Sequence, residues 1–332
     1  MNKDLIKLCI DTYKGKVENF SINQSNEAIR KSFVDIVGSE RPSFREFRRH
    51  KIEIFEIIET VVEQLIVEGW GSNPFFNQFV EERNLNAGDK NEFYVEDKSL
   101  LAVSRFSGNH WDLRRQKLNV GESFSVKTEW HGVKIYEDFL RLLSGRVDWV
   151  GFIDKVQRSF QNAILDDVYT SFMGASAYLP SQFKQTGTFS EEKMLELCSH
   201  VEAACGNNDI AIVGTKLALN KMTGTISKEW ISEKMKNDKN ITGTIPDWNG
   251  YKIMEIPQVH QKGTFDFKID DKKLMVIPLN TKPIKLVHEG EALINDNSDG
   301  TRNMDNSVEY TLSKCYGVSV VFNVLYGDYK LS

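Results

Sequence analysis

Cysteine is scarce in this chain of 332 residues: the four thiols, Cys9, Cys198, Cys205 and Cys315, are scattered. They outline no disulfide framework, so the chain reads as one made in a reducing cytoplasm. The sequons at Asn23-Gln24-Ser25 and Asn240-Ile241-Thr242 therefore carry no weight. Positive charge is not in excess either. With 42 Lys plus Arg against 47 Asp plus Glu, the formal net charge is -5. That balance argues against a protein whose main task is to coat DNA with cations, although it allows local basic patches. No apolar run approaches the ~20 residues needed to span a bilayer. The opening MNKDLIKLCIDTYKG has charges inside its apolar pattern and no cleavage site, so it is not read as a signal peptide. The six histidines are dispersed, and none stands in a GxSxG, HExxH or Cys-His context.

What is present is ordinary globular material, 40% hydrophobic, 27% charged and 11% aromatic, enough for about two domains on the usual length expectation. The most informative stretch runs from Phe124 to Met173. Phe124, Val126, Thr128 and Trp130 alternate with Ser125, Lys127 and Glu129, the period-two pattern of a half-buried strand. The period then changes, with Ile135, Phe139 and Leu142 or Leu143 at helical spacing until Ser144-Gly145. A second helix is expected to open at Asp148, a good N-cap, before Trp149. Its stripe is Val150, Ile153, Val156 or Gln157, Phe160, Ile164, Val168 and Phe172. Uninterrupted to Met173, it would be roughly 39 Å long at 1.5 Å per residue, a rod that crosses most of a domain.

Upstream, residues 1–38 hold two short helical patterns, Leu5, Leu8 and Tyr13, then Ala28, Ile29, Phe33, Ile36 and Val37. The second is expected to be capped by Ser25 and stopped by Gly38. Such short stripes cannot fold alone and must lie on something else. A longer helix is expected from Pro42 to Val67, with Phe47, Ile54, Ile58, Val61 or Val62, and Leu65 on one face. Residues 85–130 read as a long hairpin. Phe93, Val95, Leu100, Leu101 and Val103 go out, Val120 to Trp130 return, and SRFSGNHWDLRRQK forms a polar, basic tip. A two-stranded ribbon is marginal in water, so it should pack on another surface.

Downstream of the rod, 174–188 reads as a small-residue polar connection. A helix follows, capped by Ser190, with Met194, Leu197, Val201 and Ala204 inward. Ile210 to Val213 is a short buried strand, and Thr215 to Met222 a helical turn after Gly214. Residues 225–245 are polar and helical, and Asn249-Gly250 turns the chain into the strand Tyr251 to Ile256. Strands are expected at Leu274 to Pro278 and Ile284 to Val287, and a flexible polar loop over 289–306. Val308 to Tyr326 alternates around Gly317 as a strand pair or one bent strand. With no repeat and no low-complexity linker, the two domains should be interwoven rather than sequential.

Cys198, His200 and Cys205 are the best metal candidates, but no second Cys pair completes a tetrahedral set, and small buried thiols are the better reading. IAIVGTKLALNK has the strand-to-helix order of a phosphate loop without its two glycines and Lys-Ser/Thr, so an ordinary core unit is expected. Asp166 and Asp167 diverge by ~100° on a helix, cannot share one site, and read as a solvated face. Two basic runs remain. Arg41, Arg45, Arg48, Arg49, His50 and Lys51 either pair with Glu46, Glu53 and Glu56 or touch a partner. Arg114, Arg115 and Lys117 lie beside Trp111 at the hairpin tip, a composition that favours contact.

SFSVKTEWHGVKIYEDF leading into the rod, DIAIVGTKLALNKM, WNGYKIMEIP and the terminal YGVSVVFNVLYGDYKL stand in an order that resembles the major capsid protein of tailed bacteriophages. The resemblance runs from about residue 75 onward. It implies the Hong Kong 97-type fold, of α+β class, with an N-terminal arm, a long β-hairpin extended loop, a spine helix, and peripheral and axial domains. Implied divisions are 1–75 for arm and helices, where a fused scaffolding segment would also lie, and 76–132 for the extended loop. Residues 133–188 would be spine and part of the peripheral domain, 189–280 mainly axial, and 281–332 the return to the peripheral domain. The implied function is a non-enzymatic shell subunit that self-assembles into hexamers and pentamers around double-stranded DNA, without sequence-specific binding. Its implied partners are further copies of itself and scaffolding, portal and decoration proteins. No membrane, cofactor or metal is implied, and the implied location is the virion, assembled in the host bacterial cytoplasm. Subunit-interface candidates are Trp111, Arg114, Arg115, Lys117, Arg45, Arg48 and Arg49. Two alternatives stay open, an encapsulin-like shell around protein cargo and a soluble α/β enzyme.

Overall fold

A computed structural model of the chain describes residues 3–17, 21–39, 43–68, 74–95, 115–117, 121–135, 149–206, 209–224, 232–261, 264–279, 282–296, 310–321 and 325–332. The first elements are helices, as the 3.6-residue apolar spacing requires: α1 (Lys3–Tyr13), α2 (Ile22–Val37), α3 (Phe44–Glu68) and the short α4 (Pro74–Phe79). Strands β1 (Val80–Leu85), β2 (Phe93–Val95), β3 (Glu122–Phe124) and β4 (Glu129–Ile135) follow. Next come α5 (Trp149–Gly174), β5 (Lys184–Gly187), α6 (Glu191–Cys205), β6 (Ile210–Gly214), α7 (Lys216–Thr223) and α8 (Glu233–Thr242). Strands β7 (Asp247–Trp248), β8 (Tyr251–Glu255), β9 (Lys273–Pro278), β10 (Ile284–Asp296), β11 (Tyr310–Val320) and β12 (Gly327–Leu331) complete the order. Helices combine with mixed sheets in which antiparallel pairings outnumber parallel ones, which makes the class α+β as expected.

The rod is α5, and its stripe is buried as spaced from Ile153 on: Ile153, Val156, Gln157, Phe160, Ile164, Val168 and Phe172 all lie inside, whereas Val150 is only partly buried against the same core. Tyr169 joins them, packed against Phe75 of α4. Asp148 lies outside the described residues. Helix α3 lies against α5, buries Phe47, Ile54, Ile58, Val61, Val62 and Leu65, and receives the Gln157 side-chain amide on its Leu65 carbonyl at 3.1 Å. Its start is a reciprocal cap in which the Ser43 N–H donates to Glu46 Oε2 and the Glu46 N–H to Ser43 Oγ. The arm helices find their partner within the chain, because α1 and α2 pack on each other, on α3 and on α5. The cap of α2 is Ser21 with Gln24, not Ser25, which is buried one turn further in. Ser21 alone has extended backbone dihedrals and a hydroxyl facing the first free N–H groups.

Two sheets carry the rest. One has the order β1-β10-β11-β4, the other β5-β12-β9-β6-β8-β7. Strands β6 and β9 are buried along their whole length because both faces are covered. Ala211, Val213, Met275 and Ile277 point into the core that contains α5, whereas Ile210, Ile212, Leu274 and Val276 point toward α6 and α7. The chain crosses between the sheets again at its end, since β11 belongs to the first sheet and β12 to the second.

Several expectations needed correction. The alternating segment is not one strand, since β3 ends at Phe124 and β4 begins at Glu129, and Trp130 stands 61% exposed on a sheet edge. Ile135 ends β4, and the rest of the helical stripe expected there, Phe139, Leu142 and Leu143, lies outside the described residues. Strand β10 does not stop at Val287. It continues to Asp296 through an irregularity near Gly290 (φ 69), so half of the expected polar loop is ladder paired to β11. A strand at 184–187 was not anticipated, because KQTG carries no apolar signal and is held by its parallel pairing to β12. Ala204, expected inward, is exposed in the last turn of α6.

Candidate assembly surfaces

The hairpin base is built by three residues between the first sheet and the ribbon. Strands β2 and β3 pair antiparallel with Phe93 opposite Phe124, their rings stacked 5.7 Å apart. Phe93, Val126 and Val287 form a small separate core. The Arg83 guanidinium covers the open face of Phe93 at 4.0 Å and donates to the Glu92 carbonyl at 2.8 Å and to Glu81. Behind it Lys285 pairs with the same Glu81, whose carboxyl both cations hold below its ordinary range against the opposing pull of burial. The strand gap at 125–128 is fixed by other means. The Asn91 amide donates to the Val126 carbonyl at 2.6 Å, and the Thr128 hydroxyl donates to Glu289. The crossing backbone lies so close to Gly317 that a Cβ there would sit 2.9 Å from the Lys127 carbonyl carbon. Only glycine lets the two strands approach so closely.

That crossing is tied to the spine. Tyr316, next to Gly317, donates its hydroxyl to Asp167 of α5 at 2.9 Å, and the His131 ring stacks on it at 3.9 Å. Burial first, and then the Asp167 carboxylate, push the Tyr316 phenol well above its ordinary range. Asp166 reaches the other way and pairs with Lys268. The two carboxylates do diverge, but they bind partners on other elements and are not a solvated face. Lys314, fully buried, lies 3.5 Å from Glu63 of α3. At the far end Lys273 donates to the Met173 carbonyl at 2.9 Å and lies 3.4 Å from Asp328, placing a cation on the C-terminal carbonyls of α5. One helix thus gathers contacts from both sheets.

Of the residues singled out in the sequence, Arg115 and Lys117 are exposed, while Trp111 and Arg114 lie outside the described residues. Arg45 and Arg49 are exposed on α3, with Arg48 in the same helix. Glu46, offered as a partner for them, is engaged by Ser43. Cys198 is buried, which pushes its thiol up to about 12. His200 turns to Phe183 at 5.9 Å, and the Cys205 thiol faces the Leu325 carbonyl, so the three do not converge. Among the described residues no group of three or more His, Cys, Asp and Glu is placed to hold a metal ion, and no helix is long and apolar enough to cross a membrane. Sequence reading passed over the exposed aromatics Phe265 and Phe267, whose signal is the alternation TFDFK in a polar surround.

The chain matches over residues 4–327 the family model "YonB: SPbeta prophage-derived putative capsid protein". No curated protein matches it. Among solved structures it is similar to the bacteriophage PhiM1 mature capsid (12% identity, 78% of this chain and 87% of that one, TM-score 0.45). It is also similar to the capsid of cyanophage P-SCSP1u (12%, 77% and 88%, TM-score 0.48). A third similar structure is the SrpI encapsulin of Synechococcus elongatus (9%, 78% and 88%, TM-score 0.44).

Proposed function

Because the chain belongs to the YonB family of prophage-derived capsid proteins, we propose that its copies close into an icosahedral shell of hexamers and pentamers around double-stranded DNA. The observation that carries the reading is the family match, which extends over both sheets and the spine. The geometry supports it. The ribbon β2–β3 pairs Phe93–Val95 with Glu122–Phe124 and leaves the first sheet beside Val287. A two-stranded ribbon is marginal in water, and a neighbouring subunit supplies the surface on which it packs. Trp111, Arg114, Arg115 and Lys117 then sit at the hairpin tip against an acidic patch of that neighbour, and Arg45, Arg48 and Arg49 form a second contact on α3. In this role the chain performs no catalysis and uses no cofactor. The net charge of -5 suits a container that must not grip its contents, since every phosphate contact adds salt-sensitive affinity. Scaffolding, portal and decoration proteins complete the particle, which is assembled in the host cytoplasm.

The test is the content of particles purified from producing cells after nuclease treatment. Protected double-stranded DNA is the expected result. Particles filled with protein and free of nucleic acid would instead assign the chain to the nanocompartment class.

A further inference from the structure

Between β8 and β9 the chain builds a small hydrogen-bonded loop, described over 256–261 and 264–272, with its aromatic rings on the outside. Ile256 and Ile269 are buried and root both ends of it. The Gln258 side chain closes the neck: its Nε2 donates to the Ile269 carbonyl at 2.9 Å and its Oε1 accepts the Ile269 N–H at 3.1 Å. Beyond the neck the Lys268 N–H donates to the Val259 carbonyl, the Gln261 N–H to the Asp266 carbonyl, and His260 bridges Phe267. Lys268 also pairs with Asp166, which fastens the loop to the spine helix. On this frame the His260 ring stacks on Phe267 at 5.6 Å and meets Phe265 edge-on at 6.2 Å. Phe265 is nonetheless 94% exposed and Phe267 52%.

Single exposed apolar side chains are common and need no explanation. Two phenylalanines and a histidine grouped above a hydrogen-bonded neck are different. The neck bonds meet part of the ordering cost of a contact within the subunit, and aromatic anchors dominate interfaces. We infer that this loop is an aromatic knob that inserts into a second copy of this chain. The inference rests on the shell reading above, which surrounds every subunit with copies of itself. Charge supports the choice of occupant. Residues 258–272 carry three lysines, Lys262, Lys268 and Lys272, against Asp266, Asp270 and Asp271, and Lys268 is engaged by Asp166. A neutral loop in a chain of net charge -5 offers nothing to draw phosphates. Size supports it too. Two phenylalanine rings bury about 150–250 Å² each, below the ~800 Å² per partner of a stable pairwise interface. The knob therefore holds copies together only where many contacts close at once, as in a shell, and leaves the free subunit monomeric.

The experiment uses the full chain with benzoylphenylalanine at position 265, expressed as a mixture of isotopically light and heavy copies and irradiated. Mixed light–heavy cross-linked peptides of this chain are the expected product. Cross-links only within one copy, to nucleic acid, to another protein, or none at all would overturn the knob. In parallel, Phe265→Ser with Phe267→Ser should leave subunit melting unchanged. It should raise the concentration needed for shell formation by about tenfold or more, since each factor of ten is one modest contact. Normal shells from the double variant without cross-linking between copies would sink the knob and leave the shell reading standing. Absence of shells from the unsubstituted chain would sink the shell reading, while the cross-link would still decide the knob.

Discussion

Tyr316 is where strand, helix and hairpin base meet, and its chemistry has a readable consequence. Burial and the Asp167 carboxylate hold its phenol protonated well above the ordinary 10.0. The folded chain thus keeps a proton that the unfolded chain releases near pH 10, so stability from this group is complete below that pH and declines as pH rises beyond it. Tyr316→Phe should make the alkaline loss of stability shallower, without abolishing it, because burial and Asp328 raise Tyr326 in the same sense. At neutral pH the same change should cost about 1–3 kcal/mol for a hydrogen bond to a charged acceptor. Chemical denaturation from pH 7 to 11 measures both; an unchanged alkaline slope contradicts the assignment. Its neighbour makes a steric prediction. Gly317→Ala places a methyl 3.1 Å from the Thr128 Cα and should cost about 1–3 kcal/mol as overpacking. Amide exchange at 126–128 should rise more than exchange in α5, and equal protection in both would show that the crossing is not held there.

At the scale of elements, α5 makes the strongest claim. Phe160 is buried at mid-helix, so Phe160→Ala should cost about 3–5 kcal/mol through the cavity it leaves. Melting within a degree or two of the unsubstituted chain would contradict the assigned face. This helix was legible in the sequence because its stripe repeats over about six turns and every member meets a neighbour. The strands β6 and β9 were legible for a related reason, since continuous apolar runs mark burial on both faces. What failed to show were elements specified by their partners. KQTG forms β5 only because β12 lies beside it, and 289–296 extends β10 because β11 continues opposite. The cap of α2 shifted by one turn because Ser21 and Ser25 look alike until backbone dihedrals separate them.

For the whole molecule, the resemblance carried by the order of parts implied a container subunit, and the family match gives that reading its footing. The surfaces were less legible than the fold, because contact residues are specified by a neighbour absent from the single chain. Basic runs drew attention by charge, whereas the Phe265 and Phe267 knob appeared only once burial was known. The hairpin tip has its own test: Arg114→Glu with Arg115→Glu should give a normally melting subunit that fails to close shells, each exposed pair contributing only about 0.2–1 kcal/mol but recurring at every contact. Closed shells at ordinary yield and salt resistance would remove the tip from the interface. The most direct measurement of the central claim is electron cryomicroscopy of the expressed full chain, alone and together with the proteins encoded beside it. The account predicts closed shells of hexamers and pentamers in which the hairpin of one copy lies on the next. A compact monomer at every concentration and salt, with its hairpin ordered on its own subunit, would contradict it.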